Sequence, residues 1–208
     1  STPYFEYDYL SLILEVKMHL SNLFALKEEL FDQVYSYHDD LDGQGYYYND
    51  TEERLSQATI DNIIAELDMC SGLFGKIYDV TEELSEDIIV LDELNEHYEN
   101  LRNLENKFED VICNEEIYEL ASFDSSERAN QIIQEEYGLV AYDEYLEHYI
   151  QKSMDIVHAE FQELCGDAKD LLEDMLRIID EFLESSKSAL EVFEGLEYRK
   201  INKNIDNT

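Results

Sequence analysis

The stretch HDDLDGQGYYYND, from His38 to Asp50, holds the residue types from which calcium loops are built. Asp40, Asp42 and Gln44 fall at the first, third and fifth positions of such a loop, and Gly45 at the sixth, where the chain turns sharply. Calcium takes about six to eight oxygen ligands, and the twelfth position ordinarily supplies two of them from one glutamate. Here that position is Thr51, with Glu52 one residue late, and the eighth position is Tyr47 rather than an aliphatic residue. The stretch therefore reads first as the turn of a helical hairpin made by Gly43 and Gly45. Asp50 would cap the next helix while Glu53 reaches back to it. Asp40, Asp42 and Gln44 are left as a weak calcium site.

Other side chains with chemical potential form no recognisable constellation. The five histidines lie apart, and no E-x-x-H occurs, so the paired helices of a di-iron bundle are not present in the pattern. Neither a phosphate-binding glycine loop nor a G-x-S-x-G elbow is found. The expectation is a protein that is not an enzyme and uses no cofactor. Two of the features left are tyrosine clusters. Tyr46, Tyr47 and Tyr48 stand together at the hairpin tip, and Tyr142, Tyr145 and Tyr149 share a helical face. Tyrosine supplies large contact area at low entropic cost, so each cluster reads either as interface anchors or as ordinary packing.

The elements that must position these groups are helices. The one proline is Pro3, and apolar residues recur at gaps of three and four rather than two. A first helix is expected from about Tyr4 to Tyr37, with a seam of Tyr9, Ile13, Val16, Leu20, Leu23, Leu30 and Val34 that Lys27 interrupts. A second, starting after Asp50, continues through Leu67, Cys70, Phe74, Ile77, Leu84, Ile88 and Leu91, with Gly72 and Gly75 as points of bending or breaking and no proline stop after either. SFDSSERA then reads as a capped turn before a helix over Glu127–Tyr137, ended by Gly138. Ile150, Met154, Val157, Phe161, Leu164, Ala168, Leu171, Met175, Ile178, Phe182, Ala189, Val192 and Leu196 keep heptad spacing through Gly166, with Ser185 as the break. The fold expected is all-α, an elongated bundle of long helices with coiled-coil-like packing. Its parts are a long hairpin over 1–113, a short connector over 114–141 and a heptad helix with a frayed tail over 142–208. The seam closes either within one chain or between two copies in a homodimer.

Charge is the dominant feature of the composition. Asp and Glu number 51 against 14 Lys and Arg, a formal net charge of -37. With 44% apolar residues the chain can still bury a core, so it is not a disordered acidic tail. Few alanines and much Ile, Leu and Tyr set it apart from halophilic surfaces. Such a charge repels nucleic acid and anionic membranes and favours basic partners. No apolar run reaches bilayer length, and STPYFEYDYL has no basic stretch leading into an apolar core. Three widely spaced cysteines, Cys70, Cys113 and Cys165, suit buried reduced thiols in a cytoplasmic setting, the host cytoplasm if phage-encoded.

Opposite the last seam lies a stripe of Glu163, Asp170, Glu173, Asp180, Glu184, Glu191 and Glu194, with Arg177 and Lys187 as its bases. A solvated helix face ordinarily mixes signs, because opposite charges four residues apart stabilise it. Spread over a helix of about 80 Å, the net charge amounts to one per ~2.2 Å, close to the ~1.7 Å of duplex DNA. The reading is an inhibitor that mimics nucleic acid and fills the basic cleft of a nucleic-acid-binding enzyme or complex. In charge and helicity the chain resembles phage-encoded anti-restriction and anti-CRISPR proteins. The alternative is a coiled-coil scaffold or adaptor, or a chaperone for a basic client. A calcium-responsive helical protein is the third reading.

Overall fold

The structure, a computed structural model, describes residues 2–42, 55–84, 88–138 and 146–206. Six helices make up nearly all of it: α1 (Thr2–Asp42), α2 (Gln57–Leu84), α3 (Ile88–Ile112), α4 (Glu115–Ser122), α5 (Ser125–Glu136) and α6 (Leu146–Asp206). Among the described residues there is no strand, and the fold is all-α.

Two helices were not anticipated. The second seam was carried through Ile88 and Leu91, but α2 ends at Leu84 and a separate α3 begins at Ile88, which is 71% exposed. The intervening Ser-Glu-Asp has neither glycine nor proline to mark a boundary. Helix α4 is likewise new. Gly72 and Gly75, in contrast, lie inside an unbroken α2, and α6 runs straight through Gly166. The capped turn before α5 is found as read. Asp124 has extended backbone, and its carboxylate accepts a 3.1 Å hydrogen bond from the Glu127 amide. Gly138, beyond the helix end, sits at φ 74°, a conformation that favours glycine.

The chain forms two compact units that share its long helices. The first comprises residues 1–27, 61–110 and 175–208. Within it, pairwise contacts link α1 to α2, α2 to α3, α3 to α6 and α6 back to α1. His19 meets Glu66, Tyr78 stacks on Tyr98, Asn100 donates to Ser185, and Lys17 pairs with Glu194. This closed ring of neighbours is the pattern of a four-helix bundle. Its core takes Tyr9, Ile13, Val16 and Leu23 from α1, and Leu67, Cys70, Phe74 and Ile77 from α2. Leu94, Leu101 and Phe108 come from α3, and Met175, Ile179, Phe182 and Phe193 from α6. Phe193 is the hub: it stacks on Phe74 at 5.9 Å, meets Tyr9 edge-on, and its carbonyl accepts the Tyr9 hydroxyl at 2.7 Å.

In this unit α6 buries a face wider than a single heptad seam. Leu176, Ile179, Leu190 and Phe193 join the expected Met175, Ile178, Phe182 and Ala189, because α1 and α3 flank the helix on both sides. Lys27, the break in the α1 seam, is also explained. Its stem is largely covered and its ammonium pairs with Asp180 on α6.

The second unit comprises residues 28–60 and 111–174. Glu29 and Gln33 of α1 hydrogen-bond Thr59, and Gln33 also accepts from the Ser56 amide, which sets α1 and α2 antiparallel. Ala129 and Ile132 of α5 pack with Val157 of α6, extended by Phe123, Met154 and Tyr137. Arg128 clamps both Glu160 oxygens at 2.8 Å. Ile150, placed in the α6 seam, is instead 42% exposed.

Replacing Phe193 by Ala should lower unfolding free energy by about 3–5 kcal/mol, since it removes the ring at the centre of the first core. Leu14→Ala, at a site 64% exposed, should change it by no more than about 0.5 kcal/mol. Urea denaturation followed by circular dichroism separates the two; equal costs would mean that the core is not where it is drawn.

Candidate interaction surface

Glu163, Asp170 and Glu173 of α6 are exposed in the second unit. In the first unit Asp180, Glu184 and Glu191 are exposed and Glu194 is half-buried. The stripe thus faces solvent, as a heptad net requires. The net could not foresee where its counter-charges come from. Lys17 and Lys27 on α1 reach Glu194 and Asp180. Glu194, Glu191, Lys17 and Lys187 line a groove of about 500 Å³ between α1 and α6. The lower part of the stripe is therefore partly neutralised by its neighbour, and Glu184 and Glu181 beside it stay exposed.

A second acidic face was missed altogether. On α2 and α3, Asp68, Asp79, Glu82, Asp92, Glu96 and Glu99 are exposed, with Lys76, Arg102 and Lys107 as bases nearby. Between these helices Tyr78 and Tyr98 are stacked, with ring centroids 6.2 Å apart and planes 9° from parallel. Gly75 makes room for this. A Cβ there would meet the Tyr98 hydroxyl at 3.2 Å and its ring carbons at 3.4 Å. A helix-interior glycine costs about 1 kcal/mol against alanine, so the close approach is its structural return. The signal in the sequence was Gly75, three residues before Tyr78; Gly72, the other glycine of α2, has open space at its Cβ position.

Burial shifts the protonation of a few groups, and neighbouring acids add to it. The Glu105 carboxyl is raised above the usual carboxylate range, chiefly because burial disfavours its charge, with the carboxylates of Asp68 and Glu109 adding to this. Cys70 is pushed up to about 12 by burial first and then by Glu66 and Glu105, and Cys165 to about 12 by burial. Both are thiols at neutral pH and poor nucleophiles. All three cysteines are free, but Cys113 is exposed, contrary to the buried position expected for it.

The remaining sequence candidates fall as follows. Asp40 and Asp42 lie in the last turn of α1, while Gln44 and Tyr46, Tyr47 and Tyr48 lie outside the described residues, as do Tyr142, Tyr145 and the Asp50 cap. Tyr149 packs against Tyr137 with ring centroids 4.8 Å apart. Among the described residues no three His, Cys, Asp or Glu side chains converge as metal ligands. No described helix is long and apolar enough to cross a membrane. One further exposed feature is apolar: Leu10, Leu14, Met18 and Phe24 stand out from one side of α1 in the first unit. Compared with known proteins, the chain matches no family model, and neither a curated protein nor a solved structure is detectably similar to it.

Because its folded form favours the proton, Glu105 contributes stability fully below its ordinary value and loses that contribution as pH climbs through its raised value. At neutral pH the ionised group opposes folding. Glu105→Gln should therefore raise Tm at pH 7, with the gain shrinking as pH falls toward 4. A Tm lowered at every pH would show that the carboxylate is held by favourable contacts instead.

Proposed function

We propose that this protein binds through its negative surface, presenting carboxylates on rigid helices to the basic cleft of a nucleic-acid-binding enzyme or complex and displacing the nucleic acid from it. The observation that carries this reading is the excess of acidic over basic side chains exposed on α6, where Lys152, Lys169, Arg177 and Lys187 are outnumbered by glutamates and aspartates. Glu163, Asp170, Glu173, Glu184 and Glu191 all face solvent on a helix whose opposite side is committed to the core. Repulsion among them in the free protein is relieved when lysines and arginines of the partner approach, so the charge that opposes folding favours association. Steering by such a field is fast and sensitive to salt. Inhibition of the anti-restriction or anti-CRISPR kind is the form of this activity that the charge and helicity suit best.

A second reading has its own observation. The exposed Leu10, Leu14, Met18 and Phe24 on α1 suit a scaffold or adaptor that docks through apolar contact, or a chaperone for a basic client, with charge serving solubility. The two readings differ in which substitutions matter. In capture from bacterial lysate on immobilised protein, Glu173→Lys, Glu184→Lys and Glu191→Lys together should release the partner at markedly lower salt. Leu14→Ser with Met18→Ser should leave the elution profile unchanged. The reverse pattern would assign binding to the apolar side of α1 and discard the mimic. Asp180 and Glu194 are left out of the reversal because each pairs with a lysine of α1.

A further inference from the structure

The parallel tyrosines on α2 and α3 form an aromatic pair between the two helices. Their rings are only part-exposed, yet neither belongs to the buried core. Gly75 lets Tyr98 lie against α2, and this holds its plane beside that of Tyr78. One guanidinium already uses the platform: the Arg102 centre stands 5.9 Å from the Tyr98 ring centroid, and its Nη1 donates to the Tyr98 hydroxyl at 3.3 Å. Around the other ring the field is negative. Burial and the carboxylates of Glu82, Asp92 and Asp79 all push the Tyr78 phenol up, so it stays neutral.

Planar guanidinium stacks on aromatic faces and forks onto carboxylates, whereas ammonium does neither as well. We infer that the Tyr78–Tyr98 pair, bordered by Asp79, Glu82 and Asp92, is an anchoring site for an arginine side chain of the basic partner. The inference rests on the acidic-surface reading and sharpens it. The carboxylates would attract any cation, and the tyrosines would select arginine over lysine. Arg102 is the site's own competitor, holding part of the ring surface until a partner's arginine replaces it.

The test uses hexa-arginine and hexa-lysine peptides and the full chain, with affinities measured by calorimetry at low salt. The wild type should prefer hexa-arginine by about two- to five-fold. Tyr78→Leu and Tyr98→Leu should erase that preference while leaving hexa-lysine affinity nearly unchanged. Arg102→Ala, an exposed change that does not threaten folding, should widen the arginine-to-lysine ratio by freeing the ring. A ratio that Arg102→Ala leaves unmoved, or a preference that survives loss of both rings, overturns the anchoring site and leaves the acidic-surface reading standing. Failure of both peptides to bind the wild type overturns that reading as well.

Discussion

Like-charge repulsion is the constraint on which the rest of this structure depends. A chain with a net charge of -37 must hold its carboxylates apart while drawing its apolar residues together. Long helices meet both demands, because each commits one face to burial and sets the opposite face in water. The wide apolar side of α6 between Met175 and Phe193, packed on the aromatic cluster of Tyr9, Phe74 and Phe193, supplies the attraction. Where a carboxyl is drawn into partial burial, as at Glu105, the loss of solvent and then the neighbouring carboxylates make it hold its proton more tightly.

The scarce cations are spent locally. Lys17 and Lys27 join α1 to α6, and Arg128 joins α5 to α6 within the second unit. Exposed pairs of this kind contribute little stability, generally below about 1 kcal/mol. Their effect here is on the distribution of charge. They quench Asp180, Glu194 and Glu160 and leave Glu173, Glu184 and Glu191 to solvent, along with the acids of α2 and α3. The distribution of negative charge over the surface is thus decided as much by where lysine and arginine sit as by where glutamate does.

The helical class and most of the buried faces were legible in the spacing of apolar residues. Tyr9, Ile13, Val16, Leu23 and Leu30 are all buried as the seam of α1 requires, and the Asp124 cap followed from residue type alone. Three things were not legible. The sequence between α2 and α3 has no glycine or proline, and apolar spacing resumes at once in α3. The added burial of Leu176, Leu190 and Phe193 depends on having neighbours on two sides, which a single helix does not encode. The tyrosine pair joins residues from different helices, and its trace in the sequence is Gly75, which by itself suggests only a bend or a break. The acids of α6 were legible as a stripe because they share one helix; those of α2 and α3 are divided between two.

The central claim is that negative surface stands in for nucleic acid, and direct competition tests it best. Partners captured from lysate on the immobilised protein would be challenged with an excess of duplex DNA or structured RNA at constant ionic strength. The account predicts that nucleic acid releases the captured protein, because both ligands need the same basic cleft. A partner that stays bound to this protein while also holding nucleic acid, as a three-component complex, would contradict it.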